Sequence, residues 1–222
     1  LADRARVKIP TFLEPVLGVR GERKPLLLID DCLYQERVFT LEDKFVASLR
    51  DRFGSVDVAP SAEMRAAIDE LKSSASLSSE QERGLEKALT SRFTLITGGP
   101  GTGKTALAVS ILRALARLNV PMSDVAVAAP TGRAAQRMVD AMARALTGLS
   151  SPAPADVALL AALPPASTLH RLLDYAPKTE RFLRHERNPI PASYVLVDEG
   201  SMIDLVLATR LVRSLRTDAH LI

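Results

Sequence analysis

Gly98-Gly99-Pro100-Gly101-Thr102-Gly103-Lys104-Thr105 decides how this sequence is read. The eight residues fill the pattern G-x-x-x-x-G-K-[ST], which binds phosphate. Glycines let the backbone come close to an anion and turn several N–H groups inward. In that pattern the lysine, here Lys104, reaches the β- and γ-phosphates, and the hydroxyl after it, Thr105, ligates Mg²⁺. The helix that begins there adds its positive end. Context agrees with the motif: the apolar run Phe93 to Thr97 precedes the loop as a strand, and the amphipathic stretch Lys104 to Leu118 follows as a helix. ATP and Mg²⁺ are the expected ligands, with Gly98, Gly99, Pro100, Gly101, Thr102, Gly103, Lys104 and Thr105 as the nucleotide-binding residues.

Working outward, Val125 to Ala129 reads as a buried strand and Thr131 to Leu146 as a helix. Tyr194 to Val197 is a further strand, and it delivers Asp198 and Glu199. Strands without polar interruption, alternating with helices, argue for a parallel sheet covered on both faces. The expected class is α/β. An apolar strand that carries acids to the carboxyl edge of such a sheet puts them where ligands bind. Asp198 is then expected to hold Mg²⁺ through water, and Glu199 to orient or deprotonate the attacking water, so Lys104 and Glu199 are the candidate catalytic pair. An Asp-Glu pair after a strand can also be a solvated helix start; the loop about 95 residues earlier in the chain favours the catalytic reading.

Upstream, Lys24 to Ile29 and Cys32 to Tyr34 flank Asp30-Asp31, which reads as a β-hairpin. Thr40 with Asp43 is expected to open a helix whose stripe is Leu41, Phe45, Val46 and Leu49. A second helix is expected over Ser61 to Leu71, with Met64, Ile68 and Leu71 on one face. Ser73 to Ser79 is serine-rich and marks the expected boundary between a small α+β amino-terminal domain, 1–75, and the phosphate-binding domain, 76–222. Ser78 and Gln81 form a capping box for a helix to about Leu89. Ser150 to Ser167, rich in Pro and Ala, is expected to be loop.

Composition sets outer limits. The 222 residues are 47% hydrophobic, enough for a real core, which excludes a disordered chain. No apolar run approaches the ~20 residues of a membrane helix. Residues 1–20 hold no apolar signal segment, and the single Cys32 fits a reducing compartment, so a cytoplasmic protein is expected. The net charge of +3 is weak evidence for a nucleic-acid partner, although most of the basic residues are arginine, which grips phosphate bidentately. The chain opens at Leu1 and stops at Ala219-His220-Leu221-Ile222, which reads as the start of a strand. A piece of a longer protein is expected.

Four motifs taken together carry a family resemblance: Gly98 to Thr105, Ala129-Pro130-Thr131-Gly132-Arg133-Ala134-Ala135, Thr168-Leu169-His170-Arg171-Leu172, and Asp198-Glu199-Gly200-Ser201-Met202. They resemble the first motor domain of superfamily 1B DNA helicases. The run Pro25 to Ile29 with Leu33, Tyr34 and Arg37 is similar to the RecD family in particular, the alpha subunits of exodeoxyribonuclease V. The resemblance implies a RecA-like P-loop sheet and ATP-driven 5′→3′ translocation on DNA in double-strand-break repair. It implies single-stranded and duplex-end DNA as ligand, and RecB-like and RecC-like subunits as partners. Gln81 matches the family's adenine-reading glutamine, while its capping role alone would also explain it. Thr131, Gly132 and Arg133 match residues at the DNA backbone, and a helix start plus an arginine suits a phosphate; an ordinary N-cap with a surface arginine is the plain alternative. Thr168 and His170 match a motif near the DNA track, though a lone histidine is as often a packing residue. Gly200 stands where the family usually has alanine. No later motif and no second lobe follow Asp198, so half of a two-lobed active site is expected here. Alternatives are another P-loop ATPase, either a stand-alone RecD-like helicase or an AAA+-type remodeller, or a mainly architectural assembly module.

Overall fold

The computed structural model describes residues 10–53, 59–75, 77–99 and 101–222. The chain begins with a three-stranded sheet: β1 (Leu17–Gly18), β2 (Leu26–Ile29) and β3 (Cys32–Gln35). β2 and β3 form the expected antiparallel hairpin, and β1 pairs parallel to β2. Asp30 and Asp31 both take positive φ, 48° and 63°, the backbone that a two-residue hairpin with the right twist requires. α1 (Glu36–Phe53) starts four residues earlier than the Thr40 cap predicts. Thr40 lies inside the helix, and its hydroxyl donates to Glu36 Oε1 at 2.9 Å instead of capping the end. The stripe is also narrower than expected. Phe45 and Leu49 pack inward, but Val46 is exposed. α2 (Ala62–Ala75) follows, with Ser61 Oγ accepting the Met64 N–H at its start.

The central sheet contains β4 (Val125–Ala129), β5 (Ala166–Thr168), β8 (Tyr194–Val197) and β9 (His220–Leu221), in the order β5-β4-β8-β9, all parallel. β4 and β8 match the sequence reading residue for residue. The segment 93–97 docks beside β9 but makes a single bridge, Phe93 with Leu221, rather than a strand. The bonds Leu221 N–H to Arg92 O and Thr94 N–H to Leu221 O hold the segment against β9.

Helices cover both faces. α3 (Ser79–Thr90), α4 (Lys104–Arg117), α5 (Gly132–Thr147) and α6 (Pro154–Ala161) lie on one side; the one-turn α7 (Leu169–Leu172) and α8 (Leu205–Arg213) lie on the other. Strand side chains alternate between the two cores, as a period of two demands. Val125, Val127, Tyr194 and Leu196 join the first cluster; Ala126, Ala128, Val195 and Val197 join the second. A strand buried on both faces cannot afford polar positions, which is why these runs read as continuously apolar. The arrangement is a RecA-like parallel sheet.

The amino-terminal helices share these cores. Ile68 and Leu71 of α2 are buried with Leu85, Leu89 and Leu112 of α3 and α4, and Phe45 and Leu49 of α1 pack with Leu207 and Leu211 of α8. Each fully buried leucine contributes about 1.5–3 kcal/mol.

The segment expected as loop, 150–167, contains α6 and β5. Pro154 sits at the first turn, where its missing N–H costs nothing, and the Asp156 carboxylate accepts the Ala153 N–H at 3.0 Å. A short antiparallel ribbon, β6 (Tyr175–Ala176) with β7 (Arg181–Phe182), completes the description. Among the described residues no helix is long and apolar enough to cross a membrane.

Candidate nucleotide and nucleic-acid site

Because the strands are parallel, the turns that leave their carboxyl ends lie along one edge. From one side to the other these are Thr168 at the end of β5, Thr131 after β4, Asp198 after β8, and beyond β9 the loop from Gly98. The sheet therefore gathers all four motifs, scattered over a hundred residues of sequence, at one rim.

The loop owes its shape to its glycines. Gly101 and Gly103 take φ +79° and +81°, and Gly103 is the left-handed residue from which α4 starts. A Cβ on Gly103 would stand 2.4 Å from Gln81 Nε2, and one on Gly98 would stand 2.6 Å from Thr102 Oγ1. Lys104, the first residue of α4, donates from Nζ to Gly98 O at 2.7 Å and Gly99 O at 2.9 Å. Thr105 follows it, exposed on the first turn of α4. Pro100 lies outside the described residues.

Gln81 completes both arms of its capping box. Its N–H donates to Ser78 Oγ at 3.3 Å, and its Oε1 accepts the Ser78 N–H at 3.0 Å. Its Nε2 also reaches Gly103 O at 3.5 Å. One side chain thus caps the start of α3 and abuts the phosphate loop.

Asp198 is half-buried; its N–H donates to Ala128 O at 3.0 Å, and its Oδ1 accepts the Glu199 N–H at 2.9 Å. Glu199 is exposed and left-handed, φ +55°, a conformation costing a side-chain-bearing residue roughly 1–2 kcal/mol. Such strain gathers at functional turns. Gly200 opens a 3₁₀ turn with nothing within 4 Å of an added Cβ, so alanine would fit there.

On the other flank Thr131 caps α5, its Oγ1 accepting the Ala134 N–H at 3.2 Å, with Gly132 and Arg133 exposed. Thr168 caps α7 in the same manner, accepting the Arg171 N–H at 3.3 Å. The parallel ladder sets Ala129 opposite Thr168, and a Cβ on Gly132 would meet Thr168 Cγ2 at 3.9 Å. The two motifs are neighbours. His170 is exposed one residue into α7, its ring edge-on to Tyr175 at 5.4 Å and 5.7 Å from Phe182. Phe182 carries the Arg210 guanidinium at 5.9 Å on its ring. The sequence reading had passed over these aromatic partners, because Tyr175 and Phe182 sit on a two-residue ribbon too short for a periodic signal.

It also missed a buried ionic cluster behind the site. Arg113 and Arg117 of α4 both grip Asp156 of α6, at 2.8–3.1 Å, and Arg117 extends the chain to Glu70 of α2 at 2.9 Å. Burial pushes the Asp156 carboxyl up, but the guanidinium bonds of Arg117 and Arg113 and the Ala153 N–H outweigh it and hold the acid well below the usual carboxylate range. The cluster fixes the helix that starts at Lys104.

A family model described as AAA domain matches residues 81–222, from Gln81 through every motif above. The chain belongs to that AAA domain family. Within it, the relatives are RecD proteins. The RecBCD enzyme subunit RecD of Mycobacterium tuberculosis is 41% identical over 147 residues, 64% of this chain and 25% of the relative. That of Mycolicibacterium smegmatis is 33% identical over 219 residues, 91% of this chain and 36% of the relative. The ATP-dependent RecD2 DNA helicase of Deinococcus radiodurans is 30% identical over 146 residues, 66% of this chain and 17% of the relative. This chain is RecD-like, and it spans about a quarter to a third of the RecBCD subunits it matches.

Proposed function

We propose that this AAA domain chain is the amino-terminal part and first motor lobe of an ATP-dependent 5′→3′ DNA helicase, the RecD-type subunit of an exodeoxyribonuclease V complex that acts in double-strand-break repair. The observation that carries the proposal is the single rim on which the Gly98–Thr105 loop and Thr131–Arg133 flank Asp198 and Glu199. A motor must couple nucleotide chemistry to a DNA track, and both candidate sites leave one sheet.

The donor set suits Mg²⁺-ATP. The glycine cradle leaves room where side chains would collide, and oxygen donors are what a hard cation takes. Thr105 Oγ1 and Asp198 would hold the ion; among the described residues no group of three or more His, Cys, Asp or Glu could hold a metal unaided, which fits an ion shared with phosphates. The bound ion would neutralise charge on the phosphates. Lys104 would take the β- and γ-phosphates, Gln81 the adenine, and Glu199 would orient and deprotonate the attacking water. Thr131, Gly132, Arg133, Thr168 and His170 would line the DNA backbone. RecB-like and RecC-like partners, with residues 1–75 as a docking domain, and a cytoplasmic setting complete the proposal. Over a similar share of this chain the RecBCD subunit of M. tuberculosis is 41% identical and RecD2 30%, and the M. smegmatis subunit matches 91% of the chain; that favours the subunit over a stand-alone helicase.

The test is ATP turnover of the full-length protein with and without single-stranded DNA. Stimulation by DNA that is lost in Lys104→Ala supports the motor; turnover indifferent to DNA points to a remodelling ATPase, and the helicase reading is abandoned.

A further inference from the structure

We propose that Thr102 is a positioning residue of the phosphate loop, holding the Gly99 carbonyl so that Lys104 can turn to a phosphate. The inference rests on the nucleotide-site reading above and deepens it.

The argument begins with what surrounds Lys104. Its ammonium has three N–H donors and spends two on Gly98 O and Gly99 O. These carbonyls carry partial negative charge and lie within reach of the cation that a nucleotide phosphate would recruit. As Nζ moves toward a phosphate, each carbonyl loses a charged donor while an anion approaches. An acceptor that loses its donor as an anion approaches opposes nucleotide binding unless another donor takes its place.

Gly99 O has a second donor in place. Thr102 Oγ1 donates to it at 2.9 Å, from three residues along the loop. The same hydroxyl stands over Gly98, where an added Cβ would come within 2.6 Å of Oγ1 and 3.3 Å of the Thr102 Cβ. Gly98 is therefore glycine for space, since its φ is not positive. Thr102 and Gly98 interlock, and the hydroxyl stays with Gly99 O when Nζ departs. While Lys104 is on Gly99 O the threonine bond is redundant; once Lys104 engages phosphate it is the donor that remains. The bond thus contributes to the bound state more than to the free one.

That difference separates positioning from plain structure. Thr102→Val keeps the branched bulk over Gly98 and removes the donor, and Thr102→Ser keeps the donor. In full-length protein, calorimetry with Mg²⁺-ATP should show Thr102→Val about fivefold weaker than wild type and Thr102→Ser within about twofold. Both should melt as wild type does when no nucleotide is added. Thr102→Val binding like wild type while Lys104→Ala has lost binding overturns the inference alone. Equal weakening by valine and serine, or a lowered melting point of Thr102→Val without nucleotide, assigns the residue to packing and overturns it too. Lys104→Ala binding like wild type overturns both this inference and the nucleotide site.

Discussion

Asp198 donates its backbone N–H to the Ala128 carbonyl at 3.0 Å, so the turn that presents the acids is bonded to the strand that launches Thr131 to Arg133. The bond extends the β4–β8 ladder past its last paired residues, Ala128 with Val197. On the motor proposal, a change at residues 198–200 during hydrolysis has a direct mechanical route into the turn that would face DNA. No side chain needs to carry it.

Glu199 is the test of chemistry at that turn. Glu199→Gln keeps the length and hydrogen-bonding shape of the side chain but removes its basicity. In the full-length protein, nucleotide binding should persist while turnover falls by about 10²–10⁴, the usual contribution of a general base. Asp198→Asn should instead raise the Mg²⁺ concentration needed for half-maximal turnover. A Glu199→Gln protein with near-normal DNA-stimulated turnover removes the carboxylate from the mechanism.

The Asp156 cluster predicts stability. Asp156→Ala strands buried Arg113 without an anion and leaves Arg117 with Glu70 alone, and should cost about 3–5 kcal/mol, lowering the melting point by on the order of 10 °C for a domain of this size. The folded acid sits below its unfolded value, so its contribution is full above about pH 4 and declines as pH falls below that toward the folded pKa. Wild type should lose stability in acid more steeply than Asp156→Ala, as urea melts at about pH 2 to 5 would show. Parallel slopes would mean the pair adds nothing.

His220 predicts a second, separate acid window. Its Nδ1 lies 2.9 Å from Ser91 O, and its ring stacks on Tyr194 at 4.6 Å, so it links the segment before the phosphate loop to β8. Burial lowers its pKa, helped by the Arg92 charge and opposed by the Ser91 carbonyl. The unfolded chain therefore takes up this proton first. The contribution is full above about pH 6.5 and is lost as pH falls below it toward the lowered folded value. His220→Gln should flatten the stability profile between pH 7 and 5; an unchanged slope refutes the assignment.

Legibility followed the length scale of the signal. β4, β8 and α4 were readable because a doubly buried strand or an amphipathic helix repeats its signal over several residues, and the Ser78–Gln81 box because both partners lie within one turn. The α1 start differs from the reading because Thr40 with Asp43 imitates a cap wherever it lies, while the hairpin, invisible to a local pattern, holds the first turn: Glu36 N–H donates to Pro25 O at 3.0 Å and Phe39 packs edge-on to Tyr34. The Asp156 cluster joins residues 39 and 43 positions apart, with no local pattern at all. The glycines of the 98–105 loop follow from backbone needs that sequence can state, as the positive φ of Gly101 and Gly103 illustrates, yet the bond from Thr102 to Gly99 needed coordinates, since sequence says that a hydroxyl is near and not what it faces.

Arg133 carries the sharpest statement about DNA. It is exposed in the first turn of α5, just after the capped start, at the end of the helix where backbone N–H groups are left free to bind an anion. A contact of that kind positions a strand and reads no base, so Arg133→Ala in the full-length protein should weaken single-stranded DNA binding about equally on all sequences. Removing one neutralised phosphate should reduce the slope of log affinity against log salt by roughly 0.7, the single-strand value. Thr168 lies beside Gly132, so a strand that touches Arg133 should also feel Thr168→Val, with little change in slope because no charge is lost. ATP affinity measured without DNA should stay intact in both variants, since the phosphate loop leaves the sheet beyond β8 and β9. Anisotropy of labelled oligonucleotides across a salt series reads all three quantities. If the Arg133→Ala slope and affinity match wild type, Arg133 is an ordinary surface arginine and the proposed DNA contact at the start of α5 is withdrawn; the proposed nucleotide site is unaffected by that result.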